Sequence, residues 1–386
     1  PGISSFNAGE LSPLLDGRPD LAKYPAGCSV MENFVPTVQG PARFRPGTRY
    51  VGDALSHSVR SWLARFEFSD AQAYILEFSN ALIGFFTNHG RLESAPGVNY
   101  TVATPYTTAS LVTADGAFAI SNVQTGDVVY LAGGGVAPQK LSRLSASSWT
   151  LAELVIDDGP FMDMNEDDTI TMTVSAISGS VTITAAAAAF TADHVGSLIR
   201  IERNATEDIQ PWMHTKDYAL NTLVVSDGKT YELIDKHGET NTGTVQPTHT
   251  RGSAMDGLVE WEFKDAGYGV AQITGFTSSL IVTATTVTDL NFPDSLIAVG
   301  SRRWNFGAWG EHNEYPIKVT LWRDRLVWAG LRDVWLSKAG EYEKMAPDDF
   351  NEQLTDSAIN IRIQSRDNNA IRWMASTNAL RIGPAA

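Results

Sequence analysis

Cysteine is almost missing from this chain: Cys28 is the only one among 386 residues. That excludes an internal disulfide, and without a CxxC pair or a Cys/His cluster it excludes a structural zinc site. Long apolar runs are missing too, with nothing near the ~18–20 residues of a transmembrane helix. The opening Pro1-Gly2-Ile3-Ser4-Ser5-Phe6 has no basic stretch followed by an apolar one, so no secretory signal is expected. Basic charge is scarce: 29 Lys and Arg against 44 Asp and Glu leave a net charge of −15. That balance argues against a tight hold on nucleic acid or anionic lipid, which needs clustered Lys and Arg. No HExxH, GxSxG, Walker loop or helix-opening GxGxxG is present. These absences lead us to expect a soluble, acidic protein made in a reducing compartment.

What is present favours strands. The hydrophobic share of 43% is ample for a core, and the length suggests two or three domains. Short alternating runs rich in Val, Thr and aromatics are separated by Gly, Asn, Asp and Ser. The first set is Trp62–Phe68, Ala73–Phe78, Leu82–Thr87, Phe118–Val123, Asp127–Leu131, Gln139–Leu144 and Trp149–Val155. Asn88-His89-Gly90 and Gly133-Gly134-Gly135 supply turns that need positive φ. A second set is Val319–Trp322, Arg325–Ala329, Val334–Ser337, Ile359–Gln364, Ile371–Ala375 and Ala379–Ile382. Three stretches share one plan of turn, aromatic-rich strand, turn and alternating strand: AQAYILEFSNALIGFF, GDVVYLAGGGVAPQKLSRL and RDRLVWAGLRDVWLSK. That degenerate repeat predicts β-propeller-like blades, with a β-sandwich as the alternative.

Four segments follow. Residues 1–59, dense in Pro and Gly, read as an extended N-terminal arm, because proline removes backbone donors and blocks regular pairing. A short helix is expected around Pro19–Tyr24, capped by Asp16, with Leu15, Leu21 and Tyr24 on one face. Residues 60–159 and 291–386 are the two parts of the propeller-like domain. Residues 160–290 are an inserted all-β module, with strands at Thr169–Ser175, Ser180–Thr184, Ser197–Glu202, Thr222–Val225, Leu258–Phe263 and Gly269–Thr274. The last blade is expected to be completed by later residues or by another subunit.

Candidate chemistry is thin. Asp163–Asp168 spaces oxygens like the start of a calcium loop, yet Asp168 stands where a glycine is needed and Val174 where a bidentate glutamate belongs, so an interdomain linker is expected. His57, His89, His194, His214, His237, His249 and His312 are scattered, with no pair at helical spacing. Paired carboxylates for glycoside cleavage are judged by separation in space and stay open from sequence. Trp304, Trp309 and Trp322 could stack on sugars or wedge between blades, and the core role is expected.

The N-terminal sequence resembles a known family. Phe6-Asn7-Ala8-Gly9-Glu10-Leu11-Ser12-Pro13-Leu14-Leu15 is followed by Gly17-Arg18-Pro19-Asp20-Leu21-Ala22-Lys23-Tyr24, then by Cys28-Ser29-Val30-Met31-Glu32-Asn33-Phe34 and Gln39-Gly40-Pro41. Arg45-Pro46-Gly47-Thr48-Arg49 completes the run, and more diffuse matches include Phe190-Thr191-Ala192-Asp193-His194 and Arg323-Asp324-Arg325-Leu326-Val327-Trp328-Ala329-Gly330. This pattern resembles the nozzle, or tail tubular protein B, of short-tailed bacteriophages. The resemblance implies a structural virion protein of the tail, assembled in the host cytoplasm, that forms a homohexameric conduit for genome ejection. It implies no catalytic residue and no cofactor or metal. The implied partners are further copies of the chain, the adaptor ring, tail fibre or tail-tip proteins, and DNA that passes without specific binding. An acidic wall suits that passage, because it repels phosphate within a Debye length of ~8–10 Å. We expect Phe6, Leu11, Leu14, Leu15 and Tyr24 to be apolar anchors for the adaptor, and Glu10, Arg18 and Asp20 to fix register. The alternative function is a tail-tip carbohydrate- or receptor-binding protein, or a glycan hydrolase.

Overall fold

The computed structural model describes residues 5–156, 158–204, 209–346, 356–364 and 370–384. It is nearly all β, with 43% strand and no helix of seven residues or more. The chain divides after Asp53 into two compact units.

In the larger unit, three antiparallel meanders with four strands in sequence recur, the first with Gly90–Arg91 paired in addition to Leu82–Thr87. The first is Trp62–Ser69, Gln72–Ser79, Leu82–Thr87 and Thr101–Ala103. The second is Ser121–Thr125, Val128–Ala132, Gln139–Ser145 and Ser148–Glu153. The third is Lys318–Trp322, Arg325–Ala329, Asp333–Leu336 and Ile359–Arg362, followed by the hairpin Trp373–Ser376/Leu380–Gly383. Side-chain alternation stacks them face to face. Val129, Leu131 and Leu141 of the second meander pack on Phe66, Leu76 and Phe85 of the first. Tyr130 and Ala132 leave the opposite face and meet Val319, Leu326 and Trp328 of the third. The other face of the third meander, Val327, Ala329, Val334 and Leu336, packs on Met374, Leu380 and Ile382 of the hairpin. Val128–Ala132 and Arg325–Ala329 are thus covered on both faces, which is why Val128–Ala132 and Leu326–Ala329 read as unbroken apolar runs. The first strands of the second and third meanders lie side by side, and Ser121 Oγ accepts from the Val319 N–H at 3.1 Å. Blade-like stacking of this kind is the arrangement the repeated plan predicts.

Between the second and third meanders lies a six-stranded sheet in the order Met172–Val174, Ser180–Ala185, Ile281–Thr286, Tyr268–Ser278, Leu198–Glu202 and Trp304–Phe306. This sheet extends beyond 290, because Trp304–Phe306 pairs with Ile199–Ile201 and Phe161 bridges Gly307. A second, five-stranded sheet is nested inside it: Gln210–Pro211, Leu223–Ser226, Lys229–Asp235, Glu260–Asp265 and Ser253–Met255. Glu202 and Tyr268 are direct partners, so the nested module hangs from one end of a hairpin. It has its own core of Tyr218, Val224, Tyr231, Leu233, Val259 and Trp261.

Two local expectations fail. Phe118–Ile120 do not begin a strand; Val112 pairs with Phe118 across the Gly116 turn, and the regular strand starts at Ser121. The helix expected at Pro19–Tyr24 is a chain of turns, with Leu21 N–H donating to Arg18 O and Tyr24 N–H to Leu21 O. Pro19 and Pro25 supply no N–H, and Gly17 sits at φ 74°, so only the 3₁₀ segments Pro13–Leu15 and Tyr24–Ala26 form. Asp16 follows the first of these as its C-cap and does not open a helix.

Candidate docking arm

Residues 5–53 hold together through backbone bonds and two small ladders. Gly9–Glu10 pairs in parallel with Gly27–Cys28, and Phe34–Pro36 pairs antiparallel with Ala42–Phe44. Phe6 N–H donates to Gly40 O at 2.7 Å, closing the segment into a loop. Ser12 Oγ accepts from Leu14 N–H, capping the first 3₁₀ turn. Leu11 lies directly over Gly27, where a Cβ would collide with its Cγ, so the parallel ladder needs glycine there.

The eight expected contact residues divide by what the structure does with them. Leu14 is 91% exposed, whereas Phe6, Leu11, Leu15 and Tyr24 are half-buried. The three charged residues have partners within the arm. Glu10 Oε2 accepts from Met31 N–H at 2.9 Å. Arg18 grips Asp20 in a two-pronged pair at 2.8 and 2.7 Å, which holds the Asp20 carboxyl below its ordinary range. Tyr24 Oη accepts from Gly17 N–H at 3.2 Å and closes the turn between them. These charges shape the arm, and its exposed surface also carries large apolar side chains such as Leu14.

Sequence reasoning missed part of that surface. Val38, Phe44 and Tyr50 are 91%, 79% and 73% exposed, and Phe34 stacks on Phe44 at 4.6 Å on the same hairpin. The only buried residues described in 5–53 are Gly9, Gly27 and Gly40, so no hydrophobic side chain of the arm is buried. A segment of this size without a core obtains little of the burial that ordinarily offsets chain entropy. The arm is also neutral, with five acidic and five basic residues, so the whole net charge of −15 falls on residues 54–386.

Other clusters account for the residues that could carry chemistry. His194 and His312 stack at 4.6 Å, with Phe306 against His194 at 4.1 Å. His312 Nε2–H donates to Gly307 O at 3.1 Å, which leaves Nδ1 to accept from Ser197 Oγ–H at 2.8 Å. Ser197 is buried and Gly310 closes over its hydroxyl, so this serine and histidine form a closed packing contact with no room for a substrate. Burial, reinforced by His194, pushes His312 down to about 4. Its folded value lies below the unfolded 6.5, so its contribution to stability is complete above pH 6.5 and is lost as pH falls towards 4. Melting temperature is therefore expected to drop across that window, and His312→Gln to flatten the drop; an unchanged slope in thermal melts would contradict this.

The acidic run 163–168 is spent on loop ties. Asp168 pairs with Arg302 at 2.6 Å, Asn165 Nδ2 donates to Arg302 O, and Asp167 accepts from Thr169 N–H. Among the described residues no three His, Cys, Asp or Glu side chains are grouped to hold a metal. Glu314 and Asp333 are both raised by burial, but the cavity that Asp333 lines is about 100 Å³, too small for a sugar ring with its flanking contacts. Trp304 and Trp309 pack inward, Trp304 Nε1–H donating to Ile170 O and Trp309 lying edge-on to Trp328 and Trp335. Trp322 is half-buried against the third-meander core. No helix of the described residues is long and apolar enough to cross a membrane. No protein-family model matches the chain, and no curated protein matches it.

Proposed function

We propose that the protein is a structural subunit of a short phage tail, a nozzle ring that docks through residues 5–53 onto an adaptor ring and passes DNA without gripping it. The observation that carries this reading is the arm itself, neutral, proline-rich and with no hydrophobic side chain fully buried among its described residues, joined to a body that holds all the net charge. Surface of that kind is stabilised when a partner covers it. The acidic body suits a passage from which phosphates are repelled. A sugar-binding role for the inserted sheets has less support: of the aromatic side chains described in 160–290, only Phe276 is exposed, and stacking platforms need such rings.

Negative-stain images of the purified protein, alone and with the adaptor protein of the same virion, test the reading. The expected result is a sixfold ring with a central hole, seated on the adaptor. Solitary particles in both samples, together with binding or cleavage of host glycan, would overturn it.

A further inference from the structure

The first strands of the second and third meanders and of the hairpin begin side by side, at Ser121, Lys318 and Trp373. The loops leading into them enclose a cavity of about 710 Å³ at the mouth of the stack, within the size range of small-molecule sites. Its apolar walls include Phe118, Ile317 and Leu331, and its polar lining includes Lys318, Arg372 and Asp115. Backbone closes the remaining side: Gly133 is at φ 106°, and a Cβ there would collide with the Ala119 carbonyl oxygen.

The charges do not balance. Lys318 is half-buried, and its ammonium makes no hydrogen bond or ion pair among the described residues. Burial, with Arg372 nearby, holds its ammonium below the ordinary lysine range. Arg372 likewise shows no ion pair among the described residues, and it feels Asp115 only at a distance. Asp115 accepts from Thr113 Oγ–H, and it acts on Lys318 and Arg372 through space, with no ion pair to either. Lys318, half-buried with no carboxylate bound to it among the described residues and with the exposed Arg372 beside it over an apolar wall, stands out in a chain of net charge −15. Desolvating a lysine is costly unless an opposite charge compensates.

We propose that this cavity binds a small organic anion, a carboxylate or phosphate monoester on a ring-sized body. Arg372 and Lys318 hold the acid group, and the ring rests on Phe118 and Ile317. A planar guanidinium takes two acid oxygens at once and the ammonium adds a point charge, so either acid fits the pair.

Calorimetric titration of the full chain with glucuronate, glucose 6-phosphate and glucose tests it and separates the two acids. At least one acidic sugar is expected to bind about tenfold or more tighter than glucose. Lys318→Gln and Arg372→Gln are each expected to weaken that binding about tenfold, and Asp115→Asn to tighten it. Circular dichroism confirms that each variant is folded, and the Asp115→Asn gain is a result that no misfolded variant would give. Equal binding of glucose, no saturation by either acid up to about 10 mM, or folded variants with unchanged affinity would each overturn the proposal.

Discussion

Deleting residues 1–53 is expected to leave 54–386 folded, with a melting temperature within a few degrees of the full chain, and to abolish docking on the adaptor ring. The first half follows from packing. All the buried hydrophobic side chains begin at Phe66, and the clusters that join the meanders use none from the arm. The second half follows from exposure. Leu14, Val38, Phe44 and Tyr50 present apolar area that a partner can cover, each side chain contributing about 1.5–3 kcal/mol when fully buried. Losing several of them weakens association by many orders of magnitude, since ~1.4 kcal/mol is tenfold. Single changes grade the effect: Leu14→Asp, at the most exposed of the residues expected from sequence, should cost about a hundredfold. Glu10→Gln should cost far less, because its carboxylate serves Met31 within the arm. Cosedimentation with the adaptor reads all three. Undiminished docking by a chain lacking residues 1–53 would remove the arm from the interface and with it the reason for the nozzle reading.

Strand positions were legible wherever alternation and a turn signal coincided. Leu82–Thr87 and Arg325–Ala329 occur where sequence places them, and most others differ by one to three residues. Asn88 and His89 take positive φ in their turn, as expected of an asparagine-led hairpin. Legibility ended where partners are distant. Trp304–Phe306 is a three-residue edge strand whose strand partner is about a hundred residues upstream, so no strand was expected there. Lys229–Asp235 and Ile281–Thr286 went unassigned, although both alternate. Each is an interior strand whose neighbours come from separate stretches of chain. His194 and His312 showed no spacing because the six-stranded sheet, and no single helix, brings them together. In the arm, proline density was readable as irregular chain. The exposed Phe34–Phe44 hairpin was not, because its strands are three residues long and one of them contains Pro36.

Trp261→Ala is expected to unfold the nested five-stranded module and to spare the meanders. Trp261 is fully buried, lies edge-on to Tyr218 at 5.8 Å and centres the module core. Truncating a buried tryptophan to alanine costs about 3–5 kcal/mol. The indole also donates from Nε1 to Asp256 Oδ2 at 2.8 Å, while Gly243, Leu258 and Val259 N–H groups bind Oδ1. Burial works against the Asp256 charge, yet these four donors outweigh it and hold the carboxyl below its ordinary value. Alanine therefore opens a cavity and strips a donor from a buried carboxylate. Trp261→Phe separates the two effects by keeping most of the volume, and its cost should be about 1–3 kcal/mol, that of the missing donor. The damage stays local because, among the described residues, the module leaves the six-stranded sheet at the Glu202–Tyr268 end, where the ladder pairs continue without it. Hydrogen exchange should show protection lost across 210–265 and kept across 72–87 and 325–336. If those meander strands exchange at the same rate as the module, the body unfolds as one cooperative unit and the nested sheet is no separate part of it.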